Sequence, residues 1–297
     1  MGFRTMTQTT IGKGGWYMKT AIVTDSTAYI PKDIREKLNI HVIPLSVVFG
    51  NESYKEEVEI TIDEFYEKIR RSKVLPKTTQ PSTGMFTELF ERLAKDYDAV
   101  ISIHLSSGIS GTYQGAVTAG NMVDSIKVYP FDSEISCMAQ GLIAIEAAEM
   151  ALKGEEPETI LRRLEQMRAN MRAYFMVDDL SHLQRGGRLS GAQALIGSLL
   201  QVKPILHFQN KVIVPFEKVR TRKKAVSRIF ELFGEDAKTG RPMKAVIIHG
   251  NREEEALKWK EELSALYPHV EFWISYFGPV IATHLGEGAM GLCWIKD

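Results

Sequence analysis

Two periods of apolar and polar positions alternate along this chain. Short apolar runs at residues 20–23, 41–49, 99–105 and 127–131 read as strands, and the stretches between them carry helical spacing. Residues 31–38 open on Pro31, which suits a first helical position. Thr61-Ile62-Asp63-Glu64 has the form of a capping box and predicts a helix to about Arg71. Further helices are predicted over residues 83–94 and from Thr112 to about Val123. A strongly apolar one spans residues 138–153 and is closed by Gly154. Strand and helix in strict alternation predict a parallel sheet covered on both faces. Ligands of such sheets sit at the carboxyl ends of the strands. Asp25, the loop 105–114 and Asp132-Ser133 all fall there.

After about residue 165 the rhythm changes. Six short runs, 174–177, 204–208, 212–215, 245–248, 271–276 and 291–295, read as strands, with Gln209-Asn210-Lys211 as a hairpin turn. Helices are predicted at 191–201, 222–233 and 252–267. The expected architecture is α/β in two domains. An N-terminal α/β/α domain with a parallel sheet (18–165) precedes a C-terminal α/β domain with a six-stranded mixed sheet (166–297), and residues 157–170 connect them. Residues 1–17 read as a disordered extension or the product of an upstream start. No internal repeat or low-complexity segment interrupts this pattern.

Composition narrows the function. Lys plus Arg equals Asp plus Glu at 37 each in 297 residues, so no global field draws the chain to nucleic acid or an acidic membrane. No apolar run approaches the length of a membrane span, and residues 1–17 lack the apolar core of a secretory signal. A cytoplasmic protein is expected. Cys137 and Cys293 lie far apart in apolar surroundings and read as buried free thiols. The seven histidines are scattered without ligand spacing, so no metal is expected. Glycine-rich nucleotide loops and the Gly-x-Ser-x-Gly elbow are absent.

Three polar segments bounded by apolar structure remain: Thr78-Thr79-Gln80-Pro81-Ser82, the loop Leu105-Ser106-Ser107-Gly108-Ile109-Ser110-Gly111-Thr112-Tyr113-Gln114, and residues 278–288 with His284. The serine loop joins a strand end to a helix start. It has hydroxyl and N–H donors but no Lys, Arg, Asp, Glu or Cys, which suits holding an anion rather than attacking it. Alternatively, Ser82 or Thr79 is a helix cap and His284 a satisfied buried histidine. Two basic segments, Gly186-Gly187-Arg188 with Arg185, and Lys218 to Lys224, read as solvated loops or as docking patches. An enzymatic alternative is a serine hydrolase with Ser107, His284 and Asp25 as nucleophile, base and orienter.

Taken in order, Thr78–Ser82, Leu105–Gln114, Phe131-Asp132-Ser133, Gly186-Gly187-Arg188 and Gly278–Gly288 resemble the DegV family over about residues 18–297. These are the fatty-acid-binding subunits of bacterial fatty acid kinase (FakB type). The resemblance implies a tunnel between two domains that holds one long-chain fatty acid. A separate ATP-dependent kinase would phosphorylate the bound carboxylate, giving acyl phosphate for phospholipid synthesis. The chain itself would then be no enzyme, would carry no cofactor, and is expected to be monomeric alone. By position, Thr78, Ser107 and His284 would hold the carboxylate, with Ser106 and Thr79 as further hydroxyls at the site. Arg188 and Arg220 would serve kinase docking. The tail would be lined from helices such as 141–152 and 194–202. Two departures from the family pattern stand out. Thr79 replaces a serine and keeps the hydroxyl. Gly286-Glu287-Gly288 replaces Gly-Pro-Gly, and Glu287 is expected to face solvent or the kinase, since a carboxylate aimed at the site would repel the anion.

Overall fold

Apolar strands alternating with helices stack into five layers in the computed structural model, which describes residues 18–72, 75–190 and 203–296. The first half runs β1 (Thr20–Asp25), α1 (Lys32–Lys37), β2 (Ile40–Ile43), β3 (Ser46–Phe49), β4 (Glu52–Lys55), α2 (Ile62–Arg71), β5 (Lys77–Thr79), α3 (Thr83–Leu93), β6 (Ala99–His104), α4 (Thr112–Gly120), β7 (Lys127–Asp132) and α5 (Cys137–Leu152). The second half runs α6 (Pro157–Asn170), β8 (Met171–Met176), α7 (Ser181–Arg185), β9 (Lys203–Gln209), β10 (Val212–Val219), α8 (Arg222–Ala237), β11 (Met243–His249), α9 (Glu253–Leu266), β12 (Val270–Tyr276), α10 (Pro279–Leu285) and β13 (Met290–Lys296).

Strands β2-β1-β6-β7 form a parallel four-stranded sheet. Its central strands β1 and β6 are buried along their whole length, as a parallel sheet covered on both faces requires. A mixed sheet in the order β10-β9-β8-β13-β11-β12 follows, with only β11 and β12 parallel. The expected hairpin is there. Gln209 pairs with Val212 around Asn210 and Lys211, whose φ values of 49° and 72° are both left-handed, and such a turn follows the twist of the two strands.

The apolar stretch that predicts a helix over 138–153 becomes α5, buried on nearly every side. It packs on β1 and β6 across one face and on β11 and β12 across the other, while α6 reaches β13. A helix without a polar face belongs between two layers, and α5 is the shared wall of both sheets. Phe86 and Phe90 of α3 and Ala116 and Ala119 of α4 cover the outer face of the first sheet. Ile229 and Phe233 of α8 and Trp259 and Leu263 of α9 cover the outer face of the second.

Two features differ from the sequence reading. Residues 41–49 are two strands in different sheets. Pro44, which offers no N–H to a ladder, separates β2 from β3, and β3 turns away to pair antiparallel with β4 and β5. Residues 278–288, for which the sequence predicts no element, contain the helix α10, with Pro279 in its first turn. The helices expected at 191–201 and 194–202 and the extension 1–17 lie outside the described residues.

Candidate functional site

The small sheet β4-β3-β5 brings Thr78 against α10. Thr78 lies on β5 opposite Val47, and its Oγ1 is 2.9 Å from His284 Nε2. Both line a cavity of about 350 Å³ between the parallel sheet, α5, α10 and the mixed sheet. Thr79, Gln80, Ser110 and Arg188 line the same cavity. Its other walls are largely apolar, with Leu105, Ile135, Phe175, Phe208, Ile248 and Phe277 among them. Only the first turn of α5 contributes, through Cys137 and Ala139. Residues 141–152 fill the space between the sheets instead, which corrects the expectation that they line a tail.

His284 is held by close packing as well as by Thr78. A Cβ on Gly186 would lie 2.4 Å from its Nδ1, so glycine is required where the Gly-Gly-Arg loop passes the ring. Burial, then the nearby charges of Arg188 and His182, push the imidazole down to about 4, and it is neutral at pH 7. Its Nδ1 is buried and has no hydrogen-bond partner among the described residues. The Thr78–His284 pair holds two protons, one hydroxyl and one ring N–H, and spends one on the bond between them. With the ring proton on Nε2, that bond uses the ring N–H and the Thr78 hydroxyl proton stays free for a ligand.

Arg188 is half-buried at this end of the cavity. Its Nε donates to the Ile109 carbonyl at 3.2 Å and its Nη1 to the Gly186 carbonyl at 2.5 Å. The guanidinium therefore bridges the serine loop and the Gly-Gly-Arg loop rather than projecting into solvent. Arg220 is exposed, as are Lys218, Lys223 and Lys224. Arg222 is tied to Asp178 and Glu255. Glu287 is exposed and accepts a hydrogen bond from Asn251.

The serine loop is rearranged relative to expectation. Ser107 is exposed and lies outside the cavity lining. Its hydroxyl donates to Asp132 Oδ2 at 2.5 Å and its N–H to Asp132 Oδ1 at 3.1 Å. Ser106 is fully buried and donates to the Lys211 carbonyl at 2.6 Å. The loop does cradle an anion, but that anion is the chain's own Asp132. Burial alone would raise the Asp132 carboxyl; the bonds from Ser107 and Lys211 outweigh it and hold it below the usual range. The serine that reaches the cavity is Ser110, whose Oγ lies 2.8 Å from Thr112 Oγ1. A serine before a glycine and a helix start has the local pattern of a capping turn, so the sequence does not single Ser110 out within the loop.

The hydrolase arrangement is not assembled. Asp25 Oδ2 accepts from His104 Nδ1 at 3.0 Å, and Oδ1 from Thr27. Ser102 in turn bonds His104 Nε2 at 2.6 Å. Ser102, His104 and Asp25 mimic a triad in order, yet all three are fully buried and none lines the cavity. Ser107 and His284, meanwhile, bond to Asp132 and Thr78.

One acid had no signal in the sequence. Glu56 stands in the run Lys55-Glu56-Glu57-Val58-Glu59, which reads as solvated, yet it is fully buried. It accepts from Ser26 Oγ at 2.6 Å, Tyr29 O–H at 2.9 Å and the Val280 N–H of α10 at 2.8 Å. Burial raises its carboxyl to about 7 against the pull of these bonds. Both cysteines are free and buried in the cavity wall, and burial pushes the Cys137 thiol up to about 12. Among the described residues no group of three His, Cys, Asp or Glu could hold a metal ion.

Two sheets around a shared helix, enclosing a largely apolar cavity whose lining includes neutral hydroxyl and imidazole donors, define a two-sheet α/β protein with an internal cavity. The family model described as "Uncharacterised protein, DegV family" matches residues 19–297, and the chain belongs to the DegV family. It is 66% identical over 278 residues to Protein DegV of Bacillus subtilis (strain 168), covering 93% of this chain and 99% of that one. A crystal structure of DegV, a fatty acid binding protein from Bacillus subtilis, superposes with a TM-score of 0.90 at 65% identity, covering 94% of this chain and 100% of the other. A fatty-acid-binding DegV family protein from Thermus thermophilus superposes with a TM-score of 0.87 at 32% identity, with 94% and 100% coverage. Among the described residues, no helix is long and apolar enough to cross a membrane.

Proposed function

We propose that this chain is a cytoplasmic carrier that binds one long-chain fatty acid in its cavity and presents the carboxylate to a separate ATP-dependent kinase, which converts it to an acyl phosphate for phospholipid synthesis. The observation that carries the reading is the cavity itself, largely apolar along its walls, with Thr78, Ser110, His284 and Arg188 in its lining. The fatty-acid-binding relatives support it. Thr78, Ser110 and His284 hold the carboxylate, with Thr79 beside them. The tail supplies the affinity. At about 0.8 kcal/mol per buried methylene, roughly 14 methylenes give about 11 kcal/mol before association and ordering costs. Neutral donors orient the carboxylate without quenching its nucleophilic oxygen. Arg220, among the exposed cations of residues 218–224, offers the kinase a docking surface.

Denaturing extraction of the purified protein followed by mass spectrometry tests the carrier reading. One fatty acid per chain is expected. Absence of lipid, together with esterase turnover that disappears in Ser107→Ala, would overturn it in favour of hydrolysis. Incubation of the loaded protein with a fatty acid kinase and ATP tests the second half. Acyl phosphate is expected from the wild type and little from Arg220→Glu that still carries lipid.

A further inference from the structure

A second cleft opens on the other side of the cavity wall. Strands β8 and β9 pair at Tyr174 with His207 and at Phe175 with Leu206. Before Tyr174 they part, and residues from both line a cleft of about 350 Å³. Ile135, Ala173, Tyr174 and Phe208 line this cleft and the first cavity alike, so the two share a wall. Arg168, Arg172 and Lys211 also line the cleft, against the one lining carboxylate of Glu134. Two of these cations are already answered. Arg168 lies 3.5 Å from Glu134, and Lys211 lies 3.0 Å from Asp132 and 3.7 Å from Glu134. Arg172 is not. Its Nη1 donates to the backbone carbonyls of Ala169 and Met171 at 3.3 and 3.0 Å, and among the described residues it makes no ion pair. A half-buried guanidinium fixed by neutral acceptors keeps its charge and its remaining N–H groups for an anion. Beside it the rings of Tyr174 and His207 lie parallel, 5.9 Å apart at 4°. The space exceeds what a bare ion fills and suits a small organic molecule.

Lys211 ties this cleft to the serine loop. Its Nζ holds Asp132, which accepts both bonds from Ser107, and its carbonyl accepts from Ser106. A Cβ on Gly108 would clash with the same carbonyl, so the loop rests directly on the hairpin tip. An anion in the cleft competes with Asp132 for the Lys211 ammonium and draws that tip away from the loop. We infer that the cleft is an effector site for a small organic oxyanion, a phosphate monoester or a carboxylate on an apolar or planar body, whose binding weakens the hold on the fatty acid through Lys211 and the serine loop. The anion site stands on the cleft alone; its effect rests on the fatty-acid reading above.

The test titrates delipidated, isotope-labelled full-length protein with phenyl phosphate, benzoate and inorganic phosphate, and measures palmitate affinity with and without each. At least one of the two organic anions is expected to saturate at one per chain, with amide shifts centred on Ala173, Phe208 and Lys211, and to weaken palmitate binding by about fivefold. The tighter of the two identifies the headgroup class, and inorganic phosphate, which lacks the body, should bind more weakly than either. Palmitate must weaken the anion by the same factor, which titration of loaded protein checks. Arg172→Gln should lower anion affinity by about tenfold or more while palmitate alone binds as before. Lys211→Gln should leave palmitate indifferent to the anion. No saturable binding, equal binding by Arg172→Gln, or a palmitate affinity that ignores the bound anion overturns the inference. Failure of the wild type to bind palmitate would instead remove the carrier reading, and the effector role with it, while the anion site is still decided by its own titration.

Discussion

Asp132 and Lys211 consume the donors that the serine loop offers. Two bonds from Ser107 reach the Asp132 carboxylate, and the Ser106 hydroxyl reaches the Lys211 carbonyl. Ser107→Ala should therefore cost stability, by about 1 kcal/mol for a charge-assisted bond at an exposed residue, and leave fatty acid affinity within about twofold. Ser110→Ala should do the reverse, weakening fatty acid binding by about tenfold with little change in the urea midpoint. Paired denaturation and ligand titration of the two variants separates them. Equal loss of affinity in both would return the carboxylate to Ser107. The sequence shows that this loop is a donor cluster, because hydroxyls and glycines after a strand can be read locally. It does not show which hydroxyl the fold spends on Asp132, since that partner lies 25 residues away and Lys211 belongs to the other sheet.

At the scale of elements, α10 is clamped to the small sheet β4-β3-β5 at two places. Thr78 on β5 bonds His284 near the end of the helix, and Glu56, just after β4, accepts from the Val280 N–H near its start. Tyr29 tightens the second clamp, donating to Glu56 and lying 3.4 Å from the Ile281 N–H. Because Glu56 titrates near 7 when folded and near 4.5 when free, the folded state binds its proton more tightly between those values. Its contribution is fully present below pH 4.5 and is lost as pH rises to 7, by about 3 kcal/mol over the window. Urea unfolding of wild type and Glu56→Gln across pH 4.5–7 should show this slope in the difference between them. Parallel curves would show that Glu56 does not titrate there. The family resemblance puts Thr78 and His284 at one site, but the Glu56 half of this clamp was not legible in the sequence. Lys77–Thr79 is too short and polar to show strand alternation, and Pro44 hides the break between β2 and β3 inside one apolar run. The six strands of the mixed sheet and their hairpin were legible, because each carries its own apolar run and turn residues.

For the whole molecule, the cavity lies where both sheets, α5 and α10 meet without filling the space between them. The outer cluster under α3 and α4 is packed independently of it, with Phe86, Phe90, Ala116 and Ala119 fully buried against the far face of the parallel sheet. A ligand that binds only the folded state adds RT ln(1 + [L]/Kd), about 2.7 kcal/mol at a hundredfold excess over Kd. For a chain of this size that is about 4 °C in Tm. Stripping lipid should lower Tm by this amount, and palmitate should restore it. The loss should also be local. Hydrogen exchange is expected to quicken in α10 and β13, whose Ile281, His284, Gly291 and Cys293 line the cavity, and to stay unchanged in α3 and α4. Uniform quickening, or a Tm indifferent to palmitate, would mean that the cavity between the sheets is not where the ligand sits, because only a ligand seated there couples α10 to the mixed sheet without touching the outer helices.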